Sequence, residues 1–182
     1  VTFDGQFLDD FDAGLKPGWI EHPKSFSGSS RWIVEGGKYR TRETGDNESI
    51  NGCEHLKNYE VLVNIQKSTD HAQGDYFGLI FRSPPDLNNA TSGYYMVRVV
   101  CFSCEGTNSS NHRYRLELVD KQGSYDSVLT SVDLEPSEFS FFAGEDYTLK
   151  AMVTDDVLIG KFWKSSELEP SDDPADTPKP AE

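Results

Sequence analysis

Two arginines, Arg82 and Arg98, occupy similar places in the two apolar runs of the stretch GDYFGLIFRSPPDLNNATSGYYMVRVV. Each run predicts a strand, and alternation puts each arginine on the same face as the tyrosine that begins its own run, Tyr76 or Tyr94. A guanidinium group binds carboxylate or sulfate groups through paired hydrogen bonds, and a tyrosine ring stacks on a sugar ring. A third run, RYRLELV, adds two more arginines to this face if the three strands are neighbours. The predicted ligand-binding face therefore consists of Tyr76, Arg82, Tyr94, Arg98, Arg113 and Arg115.

The same residues also have a structural interpretation. Outward arginines and tyrosines suit strands, and the arginines can pair with Glu60 or Glu117 across strands, each pair contributing about 0.2–1 kcal/mol. Two long loops, 83–93 and 102–112, flank the arginine strands, and such loops either bind ligands or are inert glycosylated tips. Alternation assigns the opposite face of the three runs to the core, with these side chains: Phe77, Leu79, Phe81, Tyr95, Val97, Val99, Tyr114, Leu116 and Leu118.

The three cysteines, Cys53, Cys101 and Cys104, cannot all pair within one chain. Cys101 and Cys104 have the CxxC spacing of redox and zinc sites, but no second CxxC accompanies them. We favour a short disulfide that closes the loop after the second arginine strand, although spacing alone does not determine pairing.

Motifs of common catalytic sites are absent from the sequence. The four histidines, His22, His55, His71 and His112, do not accompany a GxSxG nucleophile motif, and there is no HExxH motif or glycine-rich phosphate loop. We therefore expect a protein that is not an enzyme. A binding module requires less, because aromatic rings and planar polar groups are enough to hold a sugar.

The charge of the chain limits its partners. With 17 Lys+Arg against 31 Asp+Glu the net charge is -14, which opposes binding to nucleic acid or to an anionic membrane surface. Carboxylates in excess favour calcium, which takes oxygen ligands, or they serve only to keep the chain in solution. No run approaches the roughly 20 apolar residues that cross a bilayer, so we expect no membrane insertion.

The beginning of the chain and its glycosylation sequons bear on localisation. The chain starts at Val1 without a basic and apolar leader, which indicates a removed signal peptide or a segment of a longer protein. Three glycosylation sequons, at Asn47, Asn89 and Asn108, fit an extracellular or cell-surface glycoprotein.

Short alternating runs separated by turn residues predict an all-β domain, either a sandwich or a barrel. Gly36-Gly37 and Asp155-Asp156 sit where hairpin turns are expected. We expect one domain over 1–164, followed by an acidic, proline-rich linker or tail over 165–182 that buries too little surface to fold. The predicted strands are Gln6–Phe11, Trp32–Val34, Lys38–Thr41, Tyr59–Lys67, Tyr76–Arg82, Tyr94–Cys101, Arg113–Val119, Ser127–Leu134, Tyr147–Thr154 and Val157–Trp163.

In order, FLDDFDAGLKPGW, RWIVEGGKYR, YEVLVNIQ, GDYFGLIFR, SGYYMVRVV and YTLKAMVTDDVLIGKFW resemble the concanavalin A-like lectin/glucanase superfamily, especially laminin-G-like and thrombospondin-C-terminal-like domains. The resemblance covers about 6–163 and implies a jelly-roll β-sandwich of two antiparallel sheets that often binds glycans and calcium. It assigns calcium to Asp9, Asp10 and Asp12, which otherwise form a solvated turn. It also implies a closing strand after the last hairpin, where this chain instead enters its acidic tail.

The glucanase branch of that superfamily uses two carboxylates on one strand, usually as Glu-x-Asp-x-x-Glu. This chain has no such motif, and Glu117 stands alone on its predicted strand. The resemblance thus implies a non-catalytic, extracellular, lectin-like module that binds a glycan or surface glycoconjugate. The alternatives are a protein-recognition or adhesive spacer domain with a protein partner, and a glycoside hydrolase of the glucanase type.

Overall fold

The structure, a computed structural model, describes residues 10–12, 19–22, 32–41, 48–50, 58–66, 74–82, 93–104, 112–122, 125–134 and 144–171. Its regular elements are all strands: β1 Ile20–His22, β2 Trp32–Glu35, β3 Lys38–Thr41, β4 Glu48–Ile50, β5 Tyr59–Gln66, β6 Tyr76–Phe81, β7 Gly93–Ser103, β8 Arg113–Gln122, β9 Tyr125–Leu134, β10 Asp146–Thr154 and β11 Val157–Lys164. The prediction of an all-β chain is confirmed. Across these ranges there is no helix of the length and apolarity that crossing a membrane requires.

The chain divides into two compact units. The first comprises 1–56, 82–94 and 122–124, and the second comprises 57–81, 95–121 and 125–182. The single domain over 1–164 stays a prediction.

In the first unit, β2 and β3 form an antiparallel hairpin, and β1 pairs with β4. The hairpin turns at Gly36 and Gly37, whose φ angles of 60° and 69° suit glycine, so the predicted turn is confirmed. Tyr39 on β3 lies at the centre of an aromatic cluster, with its ring centroid 4.8 Å from that of Trp32 and 5.1 Å from that of Trp19.

The second unit contains a four-stranded sheet in the order β6-β7-β8-β9. β6 and β7 are antiparallel, and Gly78 lies opposite Arg98 while Leu79 lies opposite Val97. The side chains predicted to face inward from β6, β7 and β8 all belong to the hydrophobic core or pack against it. Period-two alternation therefore identified the faces of these strands correctly.

A three-stranded sheet in the order β11-β10-β5 completes the second unit. β10 and β11 join through Asp155, whose φ of 51° is tolerated by an aspartate in a turn, as predicted. Asn58, just before β5, fixes this turn because its Oδ1 accepts a hydrogen bond of 2.7 Å from the backbone N–H of Asp155. On one face of β10, Tyr147, Leu149, Ala151 and Val153 enter the core.

The core lies between these two sheets. Phe77 on β6 meets Phe162 on β11 with ring centroids 5.7 Å apart. A Cβ atom added to Gly160 on β11 would lie 2.7 Å from Cγ1 of Val97 on β7, so only glycine allows the two strands to approach this closely. The arrangement fits a β-sandwich.

Several predicted boundaries differ from the observed strands. β1 and β4 were missed because three residues are too few to show alternation. Most of the predicted strand Gln6–Phe11 lies outside the described residues, and its last two residues are not in a strand. Cys53 and the sequon asparagines Asn47, Asn89 and Asn108 also lie outside them.

The first residues of the predicted tail return to the second unit. Ser165 donates its backbone N–H to the carbonyl oxygen of Asp146 at 2.9 Å, and its Oγ lies 2.9 Å from Oγ1 of Thr148. Further on, Glu169 contacts Lys150 of β10 and Lys161 of β11. Thr148, Lys150 and Lys161 lie on the sheet face opposite the core, so the segment Ser165–Ser171 extends over that outer face.

Candidate functional site

The outer face of the four-stranded sheet carries the polar residues that the sequence singled out. We call it the arginine face, and define it as Tyr76, Arg98, Phe102, Arg113, Arg115, Glu117, Asp126 and Asp133. Because the opposite face of β6, β7 and β8 fills the core, alternation directs the side chains from these three strands away from it. The face therefore exists because the core pattern of the same strands is strict. Asp126 and Asp133 of β9 join the face through their ion pairs with Arg98 and Arg115.

Arg98 is the centre of the arginine face. Its Nε donates to Oε2 of Glu117 at 2.8 Å, and its Nη1 donates to Oδ2 of Asp126 at 2.6 Å. The side chains of Arg98 and Glu117 are only 11% and 8% exposed. Burial opposes the charge on Arg98, but the hydrogen bonds to Glu117 and Asp126 outweigh it and raise the pKa of the guanidinium group. Lys121 extends the network, with its Nζ 3.6 Å from Oδ1 of Asp126.

Arg115 forms a second, more exposed pair on the same face. Its Nε donates to Oδ1 of Asp133 at 2.5 Å, and this hydrogen bond raises the pKa of Arg115. Its guanidinium carbon lies 4.5 Å from the ring centroid of Phe102, as that of Arg98 lies 4.9 Å from the ring of Tyr76. Both arginines thus combine a carboxylate with an aromatic ring, an arrangement that fixes the plane of the guanidinium group.

The six residues of the predicted ligand face have different positions. Tyr76, Arg98, Arg113 and Arg115 share the arginine face, and Arg113 is exposed there. Arg82 lies just beyond β6 with a φ of 51°, so its backbone has left the strand conformation that the prediction assumed. Tyr94 is only 6% exposed, so its ring does not offer an open surface for stacking.

Alternation did not reveal the carboxylate partners of the arginines. Asp126 and Asp133 belong to β9, which follows β8 after Gly123-Ser124, a two-residue spacing typical of a hairpin. The predicted strands stopped at Val119 and resumed at Ser127, so this pairing was not used and Asp126 lay outside the predicted strand. The charges of the two aspartates matter, because Asp126 contacts both Arg98 and Lys121, and Asp133 contacts Arg115. The predicted preference for carboxylate or sulfate ligands assumed available guanidinium groups, whereas Arg98 and Arg115 already bind carboxylates of this chain.

A second charged cluster lies on the outer face of the three-stranded sheet. The buried Lys150 and Lys161 both donate to Oε1 of Glu169, at 2.8 and 2.9 Å, and Lys161 also donates to the carbonyl oxygen of Pro170. The hydrogen bonds from the two lysines lower the pKa of Glu169. Those to Glu169 and Glu60 raise the pKa of Lys150. An acidic residue of the tail thus compensates charges that burial would otherwise penalise.

Cys101 and Cys104 form a disulfide, so the predicted short closure after the second arginine strand is confirmed. His112, directly before β8, brings its imidazole to the same place. The ligand atoms of these three side chains lie within 4.8 Å of one another, and all three side chains are buried. In the described part of the chain this is the one group of histidine, cysteine or acidic side chains close enough to hold a metal ion.

The acidic cluster predicted to bind calcium is only partly within the described residues, because Asp9 lies outside them. Asp10 and Asp12 are exposed, and Oδ1 of Asp10 accepts a hydrogen bond of 3.4 Å from the backbone N–H of Asp12. This local contact is typical of an aspartate in a turn. Calcium at Asp9, Asp10 and Asp12 stays a prediction.

Comparisons with protein-family models, with curated proteins and with solved structures find no match to this chain. The resemblance to the concanavalin A-like superfamily therefore stays a prediction that rests on the order of the sequence motifs.

Proposed function

We propose that this chain is a non-catalytic, lectin-like module with the jelly-roll topology of the concanavalin A-like superfamily, acting outside the cell. The observation that supports it is the arginine face, where Arg98 and Arg115 are held by carboxylates at 2.8 and 2.5 Å. Groups fixed in this way lose little freedom when a ligand binds, which favours recognition of a ligand rich in hydroxyl groups. The module thus binds a glycan or surface glycoconjugate.

The charge balance of the arginine face favours a neutral glycan. Asp133 beside Arg115 and Asp126 beside Arg98 repel an anionic sugar, whereas a neutral sugar can use both the remaining N–H groups and the carboxylate oxygens. Arg113 and Arg115 are the accessible donors, since Arg98 is buried. Glu117 is ion-paired with Arg98, an arrangement that suits a structural carboxylate better than a general acid.

A glycan array tests the proposal. We expect the wild-type chain to bind neutral glycans, and the Arg113→Ala, Arg115→Ala double variant to lose at least about 90% of that signal, since both accessible donors are gone. The matched control is Arg40→Ala, which removes an exposed arginine paired with Glu35 in the β2–β3 hairpin and should keep full binding. Binding that survives in the double variant would show that the arginine face is not the glycan-binding site.

A second candidate function, recognition of a protein, is favoured by β9. This ten-residue strand ends the four-stranded sheet and exposes apolar side chains along its length, with Tyr125 81% and Val132 60% exposed. A sheet edge of this kind can pair with an extended peptide. The net charge of -14 favours a basic partner over a second copy of the chain.

A displayed library of random peptides distinguishes the two functions. A blank glycan array together with enrichment of basic, extended peptides that Val132→Lys no longer binds would support protein recognition. Exchange of the β9 amide hydrogens should then slow when such a peptide is added.

Calcium belongs to the proposal as a stabilising ion at Asp9, Asp10 and Asp12. An ion that binds only the folded chain raises the melting temperature by mass action. Calcium should therefore raise the melting temperature of the wild-type chain and not that of Asp10→Asn, Asp12→Asn. Equal melting curves of the wild-type chain with calcium and with a chelator would exclude calcium binding.

A further inference from the structure

The disulfide between Cys101 and Cys104 lies beside an imidazole that the proposed function does not use. Cys101 ends the core-facing series of β7, Cys104 follows that strand, and His112 precedes β8. The ends of two strands thus bring two sulfur atoms and one ring nitrogen within 4.8 Å of one another. The ring of His112 also meets that of Tyr114, a core residue, at a centroid distance of 6.4 Å.

We propose that Cys101, Cys104 and His112 form a metal site that the redox state of the cysteines controls. In the oxidised chain the two sulfurs are joined, and no thiolate exists to bind an ion. In the reduced chain the two thiolates and the neutral imidazole bind a zinc ion, with a water molecule in the fourth position of a tetrahedron. Zinc suits this set because its ligands are sulfur and nitrogen atoms.

The buried position of the three side chains favours a metal over free thiolates. An isolated thiolate in the core is strongly disfavoured, because it leaves water without compensation. Two thiolates and one divalent ion have no net charge, and the imidazole adds none. The complete site is therefore electrically neutral, as its surroundings of Val99, Tyr114 and other core residues require.

Reduction of the disulfide precedes metal binding. A dithiol reductant supplies two electrons and two protons, becomes a disulfide itself, and breaks the S–S bond to give two thiols. Zinc then displaces the two thiol protons to solvent and forms two Zn–S bonds and one Zn–N bond. The oxidation state of zinc does not change.

Cobalt and zinc titrations of the full chain test the site. After reduction by a dithiol and removal of the reductant without air, the chain should bind about one Co²⁺ per molecule, with the charge-transfer absorption of a thiolate–cobalt bond, and Zn²⁺ should displace it. The oxidised chain should show no such absorption. Equal, weak binding by the oxidised and reduced chains would overturn the proposal.

Variants then assign the ligands. Loss of a residue that merely supports a ligand weakens metal binding by about 10–100-fold, so Cys104→Ser and His112→Asn should each weaken it by at least about 100-fold. Cys53→Ser is the matched control, because it removes the remaining cysteine and should leave the absorption unchanged. Absorption that persists in Cys101→Ser, Cys104→Ser would show that the metal binds elsewhere.

If reduction destabilises the fold, circular dichroism can still test the metal site, because it measures whether Zn²⁺ restores the folded state. A reduced chain that unfolds should refold when Zn²⁺ is added, and a reduced chain that stays folded should gain melting temperature with Zn²⁺. If Zn²⁺ changes neither the spectrum nor the melting temperature of the reduced chain, the site does not exist.

Discussion

Arg98 is largely buried and is held by two carboxylates, so its removal should lower the stability of the folded chain. Arg98→Ala leaves Glu117, whose side chain is 8% exposed, without its cation. Breaking a buried pair in this way costs about 3–5 kcal/mol, so we expect the free energy of unfolding in urea to fall by about 3 kcal/mol. This large effect arises from the carboxylate left behind rather than from the net strength of the pair.

Arg113→Ala is the control for that experiment. Arg113 is exposed on the same face, so its removal should change stability by no more than about 0.5 kcal/mol. If Arg98→Ala destabilises the chain no more than Arg113→Ala, then the Arg98 network does not support the fold.

Glu169 gives the chain a pH-dependent contact. The pKa of Glu169 is lowered in the folded chain, so its contribution to stability is present above the ordinary glutamate pKa of 4.5 and is lost as pH falls through the lowered value. The pKa of Lys150 is raised, so the contribution is complete below the ordinary lysine pKa of 10.5 and is lost as pH rises through the raised value. Glu169→Gln should therefore lower stability between these limits, by about 1 kcal/mol because Glu169 is partly solvated.

Melting curves of wild type and Glu169→Gln across this range provide the measurement. The difference in melting temperature should be largest near neutral pH and should disappear in acid, where Glu169 is protonated in both folded and unfolded chains. Glu167→Gln is the matched control from the same segment. A difference that stays constant into acid would mean that Glu169 acts by packing and not by charge.

At the scale of elements, β11 approaches β7 so closely that a Cβ atom at Gly160 has no room. Gly160→Ala places a Cβ atom 2.7 Å from Cγ1 of Val97 and should cost about 1–3 kcal/mol through overpacking. Val97→Ala removes the atoms that clash, so the double variant should be less destabilised than the sum of the single variants, by about 1 kcal/mol.

A control double-mutant cycle combines Gly160→Ala with a substitution at Val119 instead of Val97. Val119 is a buried residue of β8, and alternation directs its side chain to the other side of the sheet. Gly160→Ala and Val119→Ala should be additive within about 0.5 kcal/mol. Equal coupling in both cycles would contradict a local clash between β11 and β7.

Alternation is also why much of this sheet was predictable. In β6, β7 and β8 every second residue is apolar, and the faces follow from that period without knowledge of the neighbours. The carboxylates on β9 were missed for a different reason: the predicted strands stopped at Val119 and resumed at Ser127, so the hairpin spacing at Gly123-Ser124 that pairs β8 with β9 was not recognised. Tyr94 shows a limit of alternation itself, since alternation indicates a face but not whether other residues cover it.

At the scale of the whole molecule, the chain keeps its contacts with the sheet beyond the point where composition predicts a linker. The segment after Lys164 is acidic and rich in proline, which predicts a linker, yet Ser165 and Glu169 bind the three-stranded sheet. Composition could not predict these contacts, because Lys150 and Lys161, the two lysines that pair with Glu169, belong to no local motif in the sequence. Contacts with the three-stranded sheet therefore continue at least to Pro170.

Truncation tests this boundary. A chain ending at Ser171 should unfold at the same urea concentration as the full chain, since it keeps every contact of the segment with β10 and β11. A chain ending at Lys164 leaves Lys150 and Lys161 without Glu169, and should lose about 1–2 kcal/mol. Equal stability of all three chains would mean that the segment rests on the sheet without stabilising it.

The same segment determines how the molecule responds to tension. A force applied to the chain beyond Ser171 reaches Glu169 before it reaches β11, and Glu169 transmits it to β10 and β11 together through Lys150 and Lys161. Ion pairs re-form readily once their partners meet again, whereas a strand that has left a sheet must find its register anew. Under a weak pull the segment should therefore lengthen and recoil reversibly while both sheets stay intact.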